Sequence, residues 1–350
     1  MITKRSQLTG IKKKSDYPEA VDITPQDDTF HSVMSPADVE WWYFDAVFDN
    51  GYSVHVGVRI FHSGGRSGIV RSRIEIYKDG KVEASAIQTN LLKDLLISRV
   101  VPLIQIDGRN TIKFDEEQYK KTGEWTYTVS FQIDEHAVDL TFTRITKGWK
   151  IETPRNSWAV PLPKAKVHGT IAIHNKVIPV HGIGYHDHNW DYSLLTTWMR
   201  NIGWYWGRII GNTGNIIWAQ TIEKKEKKNL ILIINQEKQH LDGGKEFFTI
   251  PPSNISFSVS KFVYDHHRWI PTHFTLHASH VHSSGKYEPV EIHLSLSASE
   301  IHHSRILAVH YWRYHVKTNG TISIGSMNET LKDQMQIIEL LSFKSLERTR

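Results

Sequence analysis

The chain has 350 residues, 39% of them hydrophobic and 23% charged. That balance excludes a disordered polypeptide, and the length exceeds what one hydrophobic core usually organises, so two domains are expected. With no cysteine, disulfides, thiolate catalysis and cysteine-held metals are excluded.

A net charge of +5, from 42 basic and 37 acidic residues, is too dispersed for a nucleic-acid groove. The only dense basic runs, Lys12 to Lys14 and Lys224 to Lys228, read as a solvated tail and a hairpin tip. Apolar stretches such as Leu230 to Ile234 fall far short of the roughly 20 residues that cross a bilayer, so no transmembrane segment is expected. The N-terminus lacks the apolar run of a signal peptide. A cytoplasmic protein is expected, with peripheral contact to a membrane left open.

In chain order, residues 1–35 show no sustained period and read as an N-terminal arm. From Glu40 the pattern becomes β-rich: Trp41 to Phe48, Tyr52 to Phe61, Ile69 to Tyr77 and Val82 to Thr89 are short alternating runs. The tight-turn sequences Asp49-Asn50-Gly51 and Lys78-Asp79-Gly80 separate them. Leu91 to Val101 suits one short helix or a buried connection. Strands resume at Trp125 to Ile133, Val138 to Ile145, Val167 to Ile173 and Lys176 to His181. The second half repeats the style from Gly203 to Phe343, with hairpins expected at Asn212 to Asn215 and Thr318 to Thr321. No stretch holds a helical period for long. Many short, evenly spaced strands imply an all-β protein that closes into barrels or sandwiches.

Trp42-Tyr43-Phe44, with its turn and next strand, can be laid over Trp204-Tyr205-Trp206 with the turn at Asn212 to Gly214 and the strand to Ile222. The overlay predicts two related halves: domain 1 over 36–195 and domain 2 over 196–350. An excess of 12 Trp, 13 Tyr, 13 Phe and 21 His suits a wide, aromatic-lined interior and an apolar small-molecule ligand.

Two clusters carry chemistry. In His181 to Tyr192, extended backbone puts His186, His188 and Trp190 on one face and Asp187, Asn189 and Asp191 on the other. Three uses compete: a hydrogen-bonded strand end tied down by Asp187 and Asn189; a His-x-His metal pair, for which spacing indicates no third ligand; and proton transfer or ligand orientation. In Glu40 to Asp45, Glu40, Trp42 and Phe44 share one side, Trp41, Tyr43 and Asp45 the other. Glu40 either pairs with an arginine or lines a pocket. The doublets His266-His267 and His302-His303 read as surface residues. Phosphate loops, nucleophile elbows and zincin helices are absent from the sequence.

These clusters, in this order, make the chain resemble the carotenoid 1,2-hydratase (hydroxyneurosporene synthase) and AttH-like family. The residues that carry the resemblance are Ser35 to Phe44, Trp158 to Pro163, His181 to Trp190 and Trp204 to Arg208. The resemblance implies two tandem lipocalin-like antiparallel β-barrels, an isoprenoid or other apolar ligand, and no metal or organic cofactor. It implies lyase-type chemistry in which an acid protonates a double bond, aromatic faces tolerate the cation and water adds; cyclisation or isomerisation would start the same way. His188 and Trp190 match the family's His-x-Trp. The family's acidic strand corresponds here to Trp218 and Gln220, and a glutamine cannot donate the proton. The donor must then come from His188, His186, Asp187, Asp191, Glu40 or Glu339. Glu40 as acid and His188 as the group that positions water are the expected pair, with Trp42, Tyr43, Tyr185, His186, Trp204, Trp206, Trp218 and Gln220 lining the ligand. A non-catalytic barrel that holds a hydrophobic lipid or pigment is the alternative.

Overall fold

The structure, a computed structural model, describes residues 17–31, 35–65, 67–153, 156–212, 214–223, 229–237, 246–281, 289–307 and 309–344. The lysine runs at 12–14 and 224–228 and position 213 of an expected turn lie outside them. The chain is all-β, in two antiparallel sheets of 13 and 9 strands.

The first sheet begins with β1 (Val21–Asp22), β2 (Asp38–Phe48), β3 (Tyr52–Gly64), β4 (Ser67–Lys78), β5 (Lys81–Leu91), β6 (Leu96–Ile97) and β7 (Leu103–Ile106). It continues with β8 (Arg109–Phe114), β9 (Thr126–Ile133), β10 (His136–Arg144), β11 (Trp149–Thr153), β12 (Asn156–Ile173) and β13 (Lys176–Ser193). A short helix, α1 (Glu116–Thr122), caps it between β8 and β9, and α2 (Leu194–Arg200) leads to the second sheet. There β14 (Asn201–Ile210), β15 (Gly214–Glu223), β16 (Asn229–Gln236), β17 (Phe247–Ile250) and β18 (Ile255–Asp265) come first. They are followed by β19 (Arg268–His280), β20 (Val290–Ile306), β21 (Val309–Ile324) and β22 (Met327–Ser342).

The spatial order is β5-β4-β3-β2-β13-β12-β10-β9-β8-β7-β6 in the first sheet and β17-β16-β15-β14-β22-β21-β20-β19-β18 in the second. Strand for strand, β5 through β8 follows the same path as β17 through β18. Each half is a four-strand meander whose first strand pairs with the last strand of the half, which is the plan of two tandem barrels. The duplication shows again in the bends. Gly169 of β12 and Gly320 of β21 occupy matching strands with φ of +147° and +137°. A β-carbon there would lie 2.1 Å from the Asp139 carbonyl oxygen or 1.9 Å from that of His293. Only glycine permits so close an approach where a long strand curls. Gly320 therefore sits in a continuous strand with a register shift, and the hairpin expected at Thr318 to Thr321 does not form.

The overlay of aromatic triplets is corrected by one residue. Trp42 and Phe44 point into the first barrel, where they meet Val56, Ile74 and Phe142. In the second half Tyr205 points inward, to Trp218, Phe274 and Tyr314, while Trp206 packs outside, beside Tyr43, Tyr185 and Trp158. The strands β2 and β14 correspond, but a one-residue slip exchanges the faces. Leu91 to Val101 forms a single 3-10 turn at 92–94 and the short β6. The hairpin of β7 and β8 is additional to the expected strands. The described part of the expected arm belongs to the barrel: β1 pairs with β11, and Asp28 and Thr29 are buried.

Among the described residues there are four apolar clusters: one inside each barrel, one where the barrels meet, and a small one of Ile306, Tyr311 and Leu341 with Phe61 and Trp204 packed against it. The third explains why β2 and β13 are buried on both faces. If Gly169 and Gly320 play the same part, Gly169→Ala and Gly320→Ala should each cost about 1–3 kcal/mol in chemical denaturation. Two unaffected midpoints would show that the bends do not depend on them.

Candidate active site between the two barrels

Strand alternation sorts the candidate residues into two groups on opposite sides of the β2–β13 ladder. On the first-barrel side lie Glu40, Trp42, His186, His188 and Trp190, as the sequence grouped them. Glu40, His186 and His188 are wholly buried. His188 Nε2 meets Glu40 Oε1 at 2.9 Å and its Nδ1 faces Asp28 Oδ1 at 3.3 Å. His186 places Nε2 3.1 Å from Asp28 Oδ2 and Nδ1 2.9 Å from the Tyr43 carbonyl, and the Tyr127 hydroxyl donates to Asp28 at 2.7 Å. His188 stacks on Trp42, with ring centroids 4.2 Å apart. Trp190 stacks on His31 at 3.8 Å, and the His31 amide donates to Glu40 at 3.1 Å.

Burial alone would strip His188 of its proton, but hydrogen bonds and charge from Asp28 and Glu40 push its pKa up to about 9. Burial works against Asp28 and Glu40 in the opposite sense, and the histidines hold both carboxyls below their usual range. The arrangement is an imidazolium held between two buried carboxylates.

On the other face, turned toward the second barrel, lie Trp41, Tyr43, Tyr185, Asp187 and Asn189. Here a cavity of about 140 Å³ opens between the barrels. Trp41, Tyr43 and Asp187 wall it from the first barrel, with Trp158 and Tyr192 beside them, while Trp204, Trp206, Tyr311 and Glu339 face them from the second. None of the three described cavities is lined by His188, Trp190, Glu40, Trp218 or Gln220. Trp218 lies in the second barrel's core. Gln220 shares its strand parity, so Ala219 and Thr221 reach the cavity instead. Tyr185 lies behind the wall, His186 inside the first barrel.

Asp187, expected to orient loops, meets the cavity, as does Glu339, whose carboxylate is tied to Tyr43 and Arg313. Asp187 Oδ2 accepts from the Tyr185 hydroxyl at 2.8 Å and from Trp158 Nε1 at 3.0 Å. Burial pushes its pKa up, the two donors pull against that, and the charges of Glu339 and Asp45 add to the rise, leaving it at about 7. Asp191 is at the exposed end of the strand, where Ser157 donates to it at 3.2 Å. The Tyr311 hydroxyl is buried and has no hydrogen-bond partner among the described residues, which leaves it free for a ligand.

Behind the cavity an ion network crosses from barrel to barrel. Asp45 accepts from Arg208 Nε through Oδ2 at 3.1 Å, and its Oδ1 is ion-paired with the Arg208 guanidinium at 2.7 Å. Arg313 lies 3.3 Å from Asp45 and 2.8 Å from Glu339, and the Tyr43 hydroxyl is 2.8 Å from each carboxylate. Arginines at 208 and 313 within apolar, doubly buried strands are the sequence signal for such a network, since an unpaired buried charge is not tolerated. His302, expected at the surface, turns toward this junction and lies 3.5 Å from Glu75.

Among the described residues, two groups have metal-ligand spacing: His31, Glu40 and His188, and at the hairpin ends Glu135, His136 and His174. The first set is one that zinc accepts. A metal would have to displace the proton that His188 holds between its carboxylates.

Removing His188 should therefore act on stability. His188→Gln leaves two buried carboxylates without their cation and should cost about 3–5 kcal/mol. Because the folded pKa is raised, the stabilisation is complete below pH 6.5 or so and is lost as pH rises through about 9. Denaturation midpoints of the native protein should fall across that window and those of His188→Gln should fall less. Parallel curves would show that His188 is uncharged in the fold.

No protein-family model matches the sequence, and no curated protein matches it. Solved structures do share its architecture. An AttH from Nitrosomonas europaea superposes with a TM-score of 0.59 at 13% identity, over 91% of this chain and 96% of its own. CghA, crystallised with Sch210972, gives 0.60 at 11%, over 95% and 96%. Kievitone hydratase from Nectria haematococca gives 0.56 at 12%, over 92% and 94%. Along almost its whole length the chain thus has the fold of the AttH-like proteins to which its motifs pointed.

Proposed function

We propose that this protein is an enzyme that protonates a carbon-carbon double bond of an apolar, isoprenoid-like molecule held between the barrels, with Asp187 as the acid. The observation that carries the reading is the buried Asp187 carboxyl in the wall of an aromatic cavity, where burial pushes its pKa up to about 7. A carboxylic acid still half protonated at neutral pH is suited to donate, and apolar surroundings raise its readiness to do so. Proton transfer from Asp187 to one alkene carbon leaves a cation on the other. The indole and phenol faces of Trp41, Trp204 and Tyr43 can stabilise that charge. Water then forms the new carbon-oxygen bond and gives its proton to the Asp187 carboxylate, which restores the acid; loss of a proton in place of water addition gives isomerisation. The chain's own residues suffice for these steps.

Fold-level analogy points the same way: kievitone hydratase is a hydratase by name, and CghA was crystallised with the small molecule Sch210972. Glu40 and His188 enter this scheme as positioning residues. They hold β13 from behind, so that Asp187, the neighbour of His188 on that strand, faces the cavity.

The first test is to extract the purified protein, identify the apolar molecules that accompany it by mass spectrometry, and incubate them with enzyme in isotopically labelled water. One deuteron and one labelled oxygen should enter the product. Asp187→Asn should lower turnover by about 10² or more with ligand affinity retained, and native turnover should decline as pH rises through about 7. The same substitution should raise the melting temperature at pH 8, since a raised carboxyl pKa means stability lost at higher pH. Ligand retained with no turnover in the native protein would favour a binding protein, and full activity in Asp187→Asn would remove Asp187 from the chemistry.

A further inference from the structure

The aromatic cavity adjoins, at Trp41, Tyr43, His55 and Arg59, a second cleft of about 50 Å³ over β3 and β4. Its walls include Arg59, Arg71, Arg73 and Arg305, set among Phe61, Ile87 and Ile306. Arg59 of β3 and Arg71 of β4 are direct cross-strand neighbours, an arrangement of like charges that costs stability when nothing offsets it. Little does. Arg73 is held by Glu75 at 3.1 Å and donates to Ser304 at 3.0 Å, but Glu75 also serves His55 and His302. Arg59, Arg71 and Arg305 have no ion pair among the described residues, and the Nε of Arg71 is buried without a hydrogen-bond partner. Arg59 lies 5.4 Å above the Trp41 ring and Arg73 5.9 Å from that of Tyr311. Their guanidinium groups are thereby held where cleft and cavity adjoin.

Guanidinium forks match the paired oxygens of a carboxylate or phosphate. An unneutralised set of them at one end of an apolar cavity is complementary to a molecule with an apolar body and one anionic end. We infer that the ligand of this protein is an amphipathic acid whose oxyanion, a carboxylate or a phosphate, is bound by Arg59 and Arg71 while its hydrocarbon lies between the barrels. The inference rests on the cavity reading above for the position of the hydrocarbon; the anion subsite stands on the arginines themselves.

Two measurements separate those parts. Inorganic phosphate, compared with sodium chloride at matched ionic strength, probes the arginines alone and should raise the melting temperature of the native protein but not of Arg59→Gln or Arg71→Gln. Decanoate, decyl phosphate and decanol, titrated against tryptophan fluorescence, probe both parts. The two acids should bind about tenfold or more tightly than the alcohol, with a preference that shrinks in salt and disappears in both glutamine variants. Comparing the two acids identifies the preferred oxyanion. Without ligand, Arg71→Gln should melt no lower than the native protein, because it relieves repulsion. Equal affinities for the three alkyl probes, with no effect of phosphate, would overturn the anion subsite and leave the cavity reading intact. Stabilisation by phosphate with no alkyl probe bound would keep the subsite and remove the apolar cavity. Lower melting of both glutamine variants with the acid preference unchanged would show that the arginines are structural and overturn the proposal.

Discussion

The structure depends on how the two barrels are joined, and the decisive interaction there is the buried pairing of Asp45 with Arg208 and Arg313. Asp45 and Arg313 are fully buried and Arg208 is 1% exposed. Burial would raise the Asp45 carboxyl, and the two arginines keep it below its usual range. Such a network adds little net stability, since desolvation offsets most of the attraction, but any docking that separated the charges would strand them in an apolar medium. Asp45 comes from one barrel and both arginines from the other, so the network selects one alignment of the two sheets.

That alignment creates the site. Tyr43 lends its hydroxyl to the network and its ring to the cavity, and Glu339 does the same with its carboxylate. The negative charges gathered to fix the interface also lie near Asp187 and add to the rise in its pKa. On the other side of the same ladder, the imidazolium of His188 between Asp28 and Glu40 draws the segment at 25–31 across the first barrel. The two charged clusters are separated by one strand thickness and have opposite outcomes: in one the carboxylates share a buried imidazolium and are closed off, in the other an acid lines the cavity.

Much of this was legible in the sequence. Turn residues and period-2 runs located most strands, and the separation of His186, His188 and Trp190 from Asp187 and Asn189 comes from alternation alone. What alternation cannot supply is which face meets the cavity, because β2 and β13 are buried on both sides and neither face carries a solvent signal. The expected pair of Glu40 and His188 therefore lies on the face turned away from the cavity, while Asp187 faces it. The same ambiguity lies behind the one-residue slip between Trp42-Tyr43-Phe44 and Trp204-Tyr205-Trp206. Arg59, Arg71 and Arg73 escaped notice for a related reason: they are far enough apart along the chain that only cross-strand register brings them together.

The central claim is that Asp187 is a carboxylic acid near neutral pH because of where the barrels place it. The most direct measurement is a carbon NMR titration of the protein labelled at its aspartate carboxyls, with the Asp187 signal assigned from its loss in Asp187→Asn. The account predicts a midpoint near pH 7, while an aspartate in water titrates near 3.9. A midpoint close to the latter value would mean that Asp187 is solvated and ionised, and would contradict the account.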